Sequence, residues 1–190
     1  MNSIADLNMR DLGAWETPAV GASGAVFGLF GAFLVLQRRL RDYVADGGRV
    51  ASFGADAFRR TVTLGERFLH APSRRRPEDA FGERTEMLHT SLSPLNVFQD
   101  DLGLFAGLTS FIGEFTEFEL SRGLAEDATR VAAAGRETDE PAFIAYELGE
   151  GLVIRTGTPQ WARELDQSRL SVEVPQVTNR IWRLLSGGSL

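Results

Sequence analysis

Between Glu16 and Arg38 the chain carries no charge: the run is TPAVGASGAVFGLFGAFLVLQ, and residues 20–36 are apolar or small at every position. A helix with no polar face has no side to give to water, so it must lie in lipid or be buried on all sides. At ~1.5 Å of rise per residue, about twenty residues match a hydrocarbon core of roughly 30 Å. The N-terminal flank is acidic and the C-terminal flank is QRRLR, so the positive-inside rule places residue 38 onward in the cytoplasm. Gly24 and Gly28, with Ala25 and Ala32 beside them, supply a surface of small residues for close helix packing. The second reading is a buried core helix, because glycine disfavours an isolated helix and the run is at the short end of spanning length. No basic region precedes the run, which argues against a cleaved signal peptide.

The rest of the composition narrows the chemistry. None of the 190 residues is Cys, and all 20 basic residues are Arg. Disulfides, thiolate metal sites, cysteine nucleophiles and lysine Schiff bases are therefore excluded. The formal charge of −6 is unevenly spread: residues 1–37 hold −2, residues 38–76 hold ten Arg against four acids for +6, and residues 77–190 hold nine Arg against nineteen acids for −10. Such a balance does not suit a nucleic-acid binder, and none is expected as a partner. The triple Arg at 74–76 is followed by Glu78, Asp79 and Glu83, with no aromatic platform interleaved. It reads as a solvated loop folding back on its own acids rather than a phosphate site.

The string GASGAVFGLFGA at residues 21–32 resembles the catalytic-serine helix of the rhomboid intramembrane proteases, in which a Gly-x-Ser-Gly motif opens a transmembrane helix. That resemblance implies Ser23 as the nucleophile and covers about twenty residues. A serine hydroxyl needs a base to take its proton. The only histidines, His70 in RFLHAPSRRRP and His89 in TEMLHTSLSP, lie outside any second apolar run. Ser23 thus has no identifiable His partner, and a small residue at a helix start is the simpler reading.

From residue 38 the pattern becomes that of an α/β domain. QRRLRDYVADGG places Leu40, Tyr43 and Val44 at helical spacing and closes with two glycines, RVASFG reads as a short buried strand, and Asp56 is placed to cap the next turn or helix. Helix, glycine pair, strand and polar turn form a half-unit of a parallel sheet. Val62 and Leu64 alternate with polar residues, predicting another strand, while residues 71–85 read as an exposed loop. SPLNVFQDDLGLFAGL predicts a short strand followed by a helix or loop. FIGEFTEFEL predicts a strand carrying Phe115, Phe118 and Leu120, with Glu114, Glu117 and Glu119 on solvated faces rather than around a hard cation. LAEDATRVAAAG reads as a helix closed by Gly135, and PAFIAYELGEGLVIRTG as a hairpin turning at Gly-Glu-Gly. TPQWARELD starts a helix with Thr158 as N-cap, and Val177, Ile181, Trp182 and Leu185 mark a terminal amphipathic helix ended by Gly187.

The strings LRDYVADGGRVASFG, FGERT, PAFIAYELGEGLVIRTGTPQWAREL and VTNRIWRLLS resemble the later portion of a class I glutamine amidotransferase-like domain, of the type related to the large subunit of actinobacterial N,N-dimethylformamidases. The resemblance spans residues 38–190 with the opening strands missing. It implies a Cys nucleophile on a sharp strand-to-helix turn with His and Glu partners. The turn after Ser52-Phe53-Gly54 holds Ala55 and Asp56 instead, so amidotransferase chemistry is excluded. Dimethylformamidases are associated with iron held by Tyr and Glu. Tyr43 and Tyr146 read as packing residues here, and no metal ligand is carried over.

The sequence thus predicts an α/β fold, a partial three-layer sheet with flanking helices, preceded by one apolar and potentially transmembrane helix. It divides into a rhomboid-like segment, 1–37, and a truncated amidotransferase-like domain, 38–190. The expected role is non-catalytic, structural or binding, toward a ligand or protein of unknown identity, with no cofactor and with membrane contact through residues 18–37. The alternative is a membrane-anchored, catalytically incomplete rhomboid relative. The domain is accordingly cytoplasmic, either anchored at the membrane or free of it.

Overall fold

The computed structural model describes residues 37–56, 58–59, 63–64, 69–70, 78–166 and 172–188. The apolar run at residues 20–36, and Ser23 within it, lie outside the described residues. Among the described residues, no helix is long and apolar enough to cross a membrane.

Helix α1 (Gln37–Ala45) follows the predicted spacing and buries Val44 completely. It ends at Gly47, whose φ of +101° takes the chain out of the helix while its N–H and that of Gly48 reach back to the carbonyls of Val44 and Tyr43, 2.9 Å each. Strand β1 (Arg49–Ser52) comes next, followed by a small antiparallel pair, β2 (Thr63–Leu64) with β3 (Leu69–His70). The long strands β4 (Arg84–Asp100) and β5 (Phe111–Gly123) follow, then β6 (Ala128–Gly135), β7 (Pro141–Leu148) and β8 (Gly151–Arg155). Two helices finish the fold, α2 (Trp161–Asp166) and α3 (Glu173–Leu185).

Six strands form one mixed sheet in the order β1-β8-β7-β6-β4-β5. The β1–β8 pair is parallel, with Val50 opposite Val153, and the other pairings are antiparallel. Strand β4 pairs with β5 along residues 84–96 and with β6 along residues 96–100, with register shifts between His89 and Leu95. Those irregularities increase the local twist. Strand β5 thereby comes round to the end of β8, where the Glu119 N–H donates to the Gly157 carbonyl at 2.7 Å.

Alternation along the central strands separates two apolar faces. Phe143 and Ala145 of β7, Leu152 and Ile154 of β8 and Ala51 of β1 pack with Trp161, Val174, Val177 and Ile181 of α2 and α3. Ile144, Tyr146, Val153 and Val50 point the other way, against Val44 of α1 and Phe81. Helix α1 therefore covers one face and α2 with α3 the other, giving three layers around this part of the sheet. Trp161 is the hub of the larger cluster: it stacks on Phe115 with ring centroids 6.0 Å apart, and its indole N–H donates to Thr178 Oγ1 at 3.0 Å.

The hairpin prediction holds, and its turn explains two glycines. Gly149 has φ +60°, as the first position of a type II′ turn requires. A Cβ on Gly151 would fall 1.8 Å from the Val44 carbonyl oxygen, because the hairpin turn packs directly on the end of α1.

Three expectations are corrected. Residues 124–135 do not form a helix; Ala128–Gly135 is strand β6, buried at every position from Val131 to Gly135. Alanine favours helices in isolation, but a central strand pressed on both sides selects small side chains, and tertiary packing overrides propensity. The short strand expected near residue 94 is instead a 17-residue strand beginning at Arg84. The loop expected to be exposed up to residue 85 has its described part turned inward, with Phe81 fully buried and Asp79 and Glu83 only 9% and 1% exposed.

Candidate functional site

The turn after β1, the predicted position of a nucleophile elbow, opens onto a place where the sheet buries several charges together. The Gly54 N–H donates to Thr156 Oγ1 at 3.0 Å, and the Asp56 N–H donates to Glu119 Oε2 at 2.9 Å. Asp56 has φ +59°, a left-handed conformation that Asp tolerates better than most residues. Ala55 and Asp56 thus stand where the sequence puts them, and the backbone there is tied down by β5 and β8.

Glu119 is the centre of this cluster. Alternation alone assigns it to a solvated strand face, yet it is fully buried. Its Oε1 accepts from Thr85 Oγ1 at 2.6 Å and from Arg59 at 3.4 Å, and Arg59 also donates to Thr85 Oγ1 at 2.6 Å. The physical reason is that a carboxylate between Phe118 and Leu120 enters the interior once two guanidinium groups await it there. The second is Arg155, at the end of β8, which lies 3.6 Å from Glu119 Oε2 and donates to the Glu119 main-chain carbonyl at 2.8 Å.

Arg155 also clasps Glu83 through two parallel bonds, Nη2 to Oε1 at 2.6 Å and Nε to Oε2 at 3.1 Å. This forked geometry is the strongest arrangement of a guanidinium and a carboxylate. Burial alone would lower the pKa of Arg155, but the charge and hydrogen bonds of Glu83, with Glu119 behind, carry it above its ordinary value. Two arginines and two glutamates therefore neutralise one another inside the fold.

A third carboxyl borders this neutral set. Asp79 Oδ1 accepts from the main-chain N–H groups of Phe81 and Glu83 at 2.8 and 2.9 Å. Its Oδ2 is buried with no hydrogen-bond partner, as is the hydroxyl of Tyr146. Burial first, and the neighbouring Glu83 charge second, push the Asp79 carboxyl up to about 7. Tyr146 is raised well above its usual value by burial and then by Asp79 and Glu83, so it stays neutral.

The other residues singled out in the sequence do not converge. His70 lies in β3 opposite Thr63, and His89 is an exposed residue 3.6 Å from Glu117 Oε1. Glu114 is exposed, Glu117 is half-buried and Glu119 is inside. Among the described residues, no group of three or more His, Asp or Glu side chains is placed to hold a metal ion. Tyr43 is 56% exposed and Tyr146 is buried, so the two tyrosines serve different surroundings, and neither shares a site with the other. A surface groove of about 540 Å³ lies elsewhere, where the end of β5 meets β6 and β7, lined by Arg122, Leu124, Arg130, Asp139 and Ile144 among others.

Sequence reasoning missed Arg155, Glu83, Arg59, Thr85 and Asp79. One signal was available for Arg155: in GLVIRTG it ends an uninterrupted apolar strand that is buried on both faces, where a charge must find a partner.

Compared with known proteins, residues 2–54 match the Rhomboid domain family. The match takes in the GASG string and runs on through α1 and β1, past the boundary placed at residue 37. No curated protein matches the chain.

Proposed function

We propose that residues 38–190 act as a non-catalytic α/β domain with a binding or structural role, amidotransferase-like in kind. The observation that carries this reading is the buried network of paired charges beside the post-β1 turn. Glu119, Arg59, Arg155 and Glu83 are nine-tenths or more buried and engage one another, and the turn offers Ala55 and Asp56 where a nucleophilic Cys would stand. Buried charges that satisfy one another hold a fold in register and are poorly placed to meet a substrate. Kinship with amidotransferase-like domains rests on strings outside the family match, chiefly PAFIAYELGEGLVIRTGTPQWAREL and VTNRIWRLLS. The test is ammonia release from glutamine and small amides by the purified full-length chain: none above the buffer blank is expected, and saturable turnover would overturn the reading.

A second reading is favoured by the family match over residues 2–54: a membrane-anchored, catalytically incomplete rhomboid relative. In it the 20–36 run is the anchor and Ser23 is the remnant of the nucleophile. Alkaline carbonate extraction of cells expressing the full chain tests the anchor, since release into the soluble fraction removes it. Fluorophosphonate labelling that is lost in Ser23→Ala would show instead that the serine is active.

A further inference from the structure

The segment at residues 78–84 combines three features that belong together. Phe81 is fully buried against Val44 of α1 and meets Phe58 edge-to-face at 5.1 Å, and Arg41 of α1 donates to its main-chain carbonyl. Glu83, two residues on, is the carboxylate held by Arg155. Asp79 ties the two ends, its Oδ1 accepting from the N–H groups of Phe81 and Glu83 while its own N–H donates to the Glu83 carbonyl at 2.9 Å. One carboxyl thus shapes the turn that pins α1 on one side and fills the charge cluster on the other.

The charge count around Asp79 sets its protonation. Facing it are Glu83 on its own turn, Arg155 on β8 and Tyr146 on β7, with Arg41 of α1 near Tyr146 and with Glu119 of β5, Arg59 and Asp56 beyond. Arg155 and Arg59 are matched by Glu83 and Glu119, and Arg41 is engaged by Asp127 at 2.6 Å. Each of these three cations is thus already committed to another carboxylate. A proton on Oδ2 leaves the two Arg–Glu pairs undisturbed; its loss places an extra negative charge beside Glu83, with no donor on Oδ2. The flanking residues Glu78 and Arg84 are exposed, so the turn lies at the surface end of the cluster, and its opening gives Asp79 the shortest route to water.

We propose that residues 78–84 form a proton-dependent latch: with Asp79 protonated the turn clamps Phe81 beneath α1 and Glu83 on Arg155, and loss of that proton to solvent releases the turn and loosens α1. The latch thereby sets how firmly α1 is held on the sheet.

Hydrogen exchange on the full-length chain tests this, with rates corrected for the intrinsic pH dependence of exchange. Between about pH 6 and about pH 8.5, peptides covering residues 78–86 and 40–46 are expected to lose about tenfold in protection, the linkage for a carboxyl held near 7 when closed and released to its ordinary value when open. Asp79→Asn keeps an acceptor on the two N–H groups without a charge and should show the same protection at both pH values. A wild type whose corrected protection is flat overturns the latch, as does an Asp79→Asn variant that loses protection like the wild type. Should that variant fail to fold, infrared difference spectra of the wild type decide. A protonated-carboxyl band that disappears with a midpoint near neutrality supports the latch, and the absence of one refutes it.

Discussion

Replacing Arg155 with Met probes the charge cluster most severely. Methionine has a similar length and volume, so the substitution leaves little cavity, and the effect is electrostatic. Glu83 loses two donors, at 2.6 and 3.1 Å, and the Glu119 carbonyl loses one at 2.8 Å. Both carboxylates are 1% exposed or less, so water cannot replace the guanidinium without opening the core. Breaking a buried pair in this way costs about 3–5 kcal/mol. Against a total stability of about 5–15 kcal/mol, that is a large share, and it corresponds to a fall in Tm of roughly 6–20 °C for a domain of this size. Urea unfolding followed by tryptophan fluorescence reads the change, because Trp161 is buried on Phe115 in the same core. Adding Glu83→Gln removes one of the stranded charges, so the double variant should be more stable than Arg155→Met alone, with a coupling of about 2 kcal/mol in the double-mutant cycle. A single variant within about 1 kcal/mol of wild type, or a cycle with no coupling, would refute the view that these charges hold the fold together through one another.

Other perturbations have defined outcomes. Asp79 binds its proton more tightly folded than unfolded, so its contribution to stability is intact below about 4 and is lost as pH rises to about 7, amounting to roughly 4 kcal/mol for the full shift. Urea titrations across that range should show the decline, and Asp79→Asn should flatten it. In β6, a Cβ on Gly135 would lie 2.1 Å from the Glu140 carbonyl oxygen, so Gly135→Ala should cost about 1–3 kcal/mol by thermal unfolding. Gln160 covers the edge of β5, accepting from the Thr116 N–H at 2.8 Å and donating to Thr116 Oγ1 at 2.7 Å. Gln160→Ala should therefore lose about 1–2 kcal/mol and raise aggregation on light scattering, as an uncovered strand edge does.

Local rules make some elements legible and leave others hidden. Helix α1, the β7–β8 hairpin and α3 carry their own punctuation: Gly47, the Gly-Glu-Gly turn, and the spacing of Val177 and Ile181 with Gly187 beyond. These signals act within a few residues, so no partner is needed to read them. Strand β6 reads as a helix in isolation because its alanines answer to the layers above and below it, which only the assembled sheet supplies. The charge cluster is hidden for the same reason: Glu119 and Arg155 are 36 residues apart, and Glu83 and Arg155 are 72 apart. Nothing in the alternation of FIGEFTEFEL says that one of its three glutamates will meet two arginines. The turn after β1, by contrast, is legible in RVASFGAD, because a strand ending in a glycine and a short polar turn is a local pattern.

The central claim is that the charged residues at the end of β1 and β8 serve the fold rather than a reaction. Its most direct test is ammonia release from glutamine, asparagine and formamide by the purified full-length chain, with Asp56→Asn alongside. Both proteins should match the buffer blank at every amide concentration. Saturable ammonia release by the wild type that disappears in Asp56→Asn would place a working carboxylate at the turn and contradict the account.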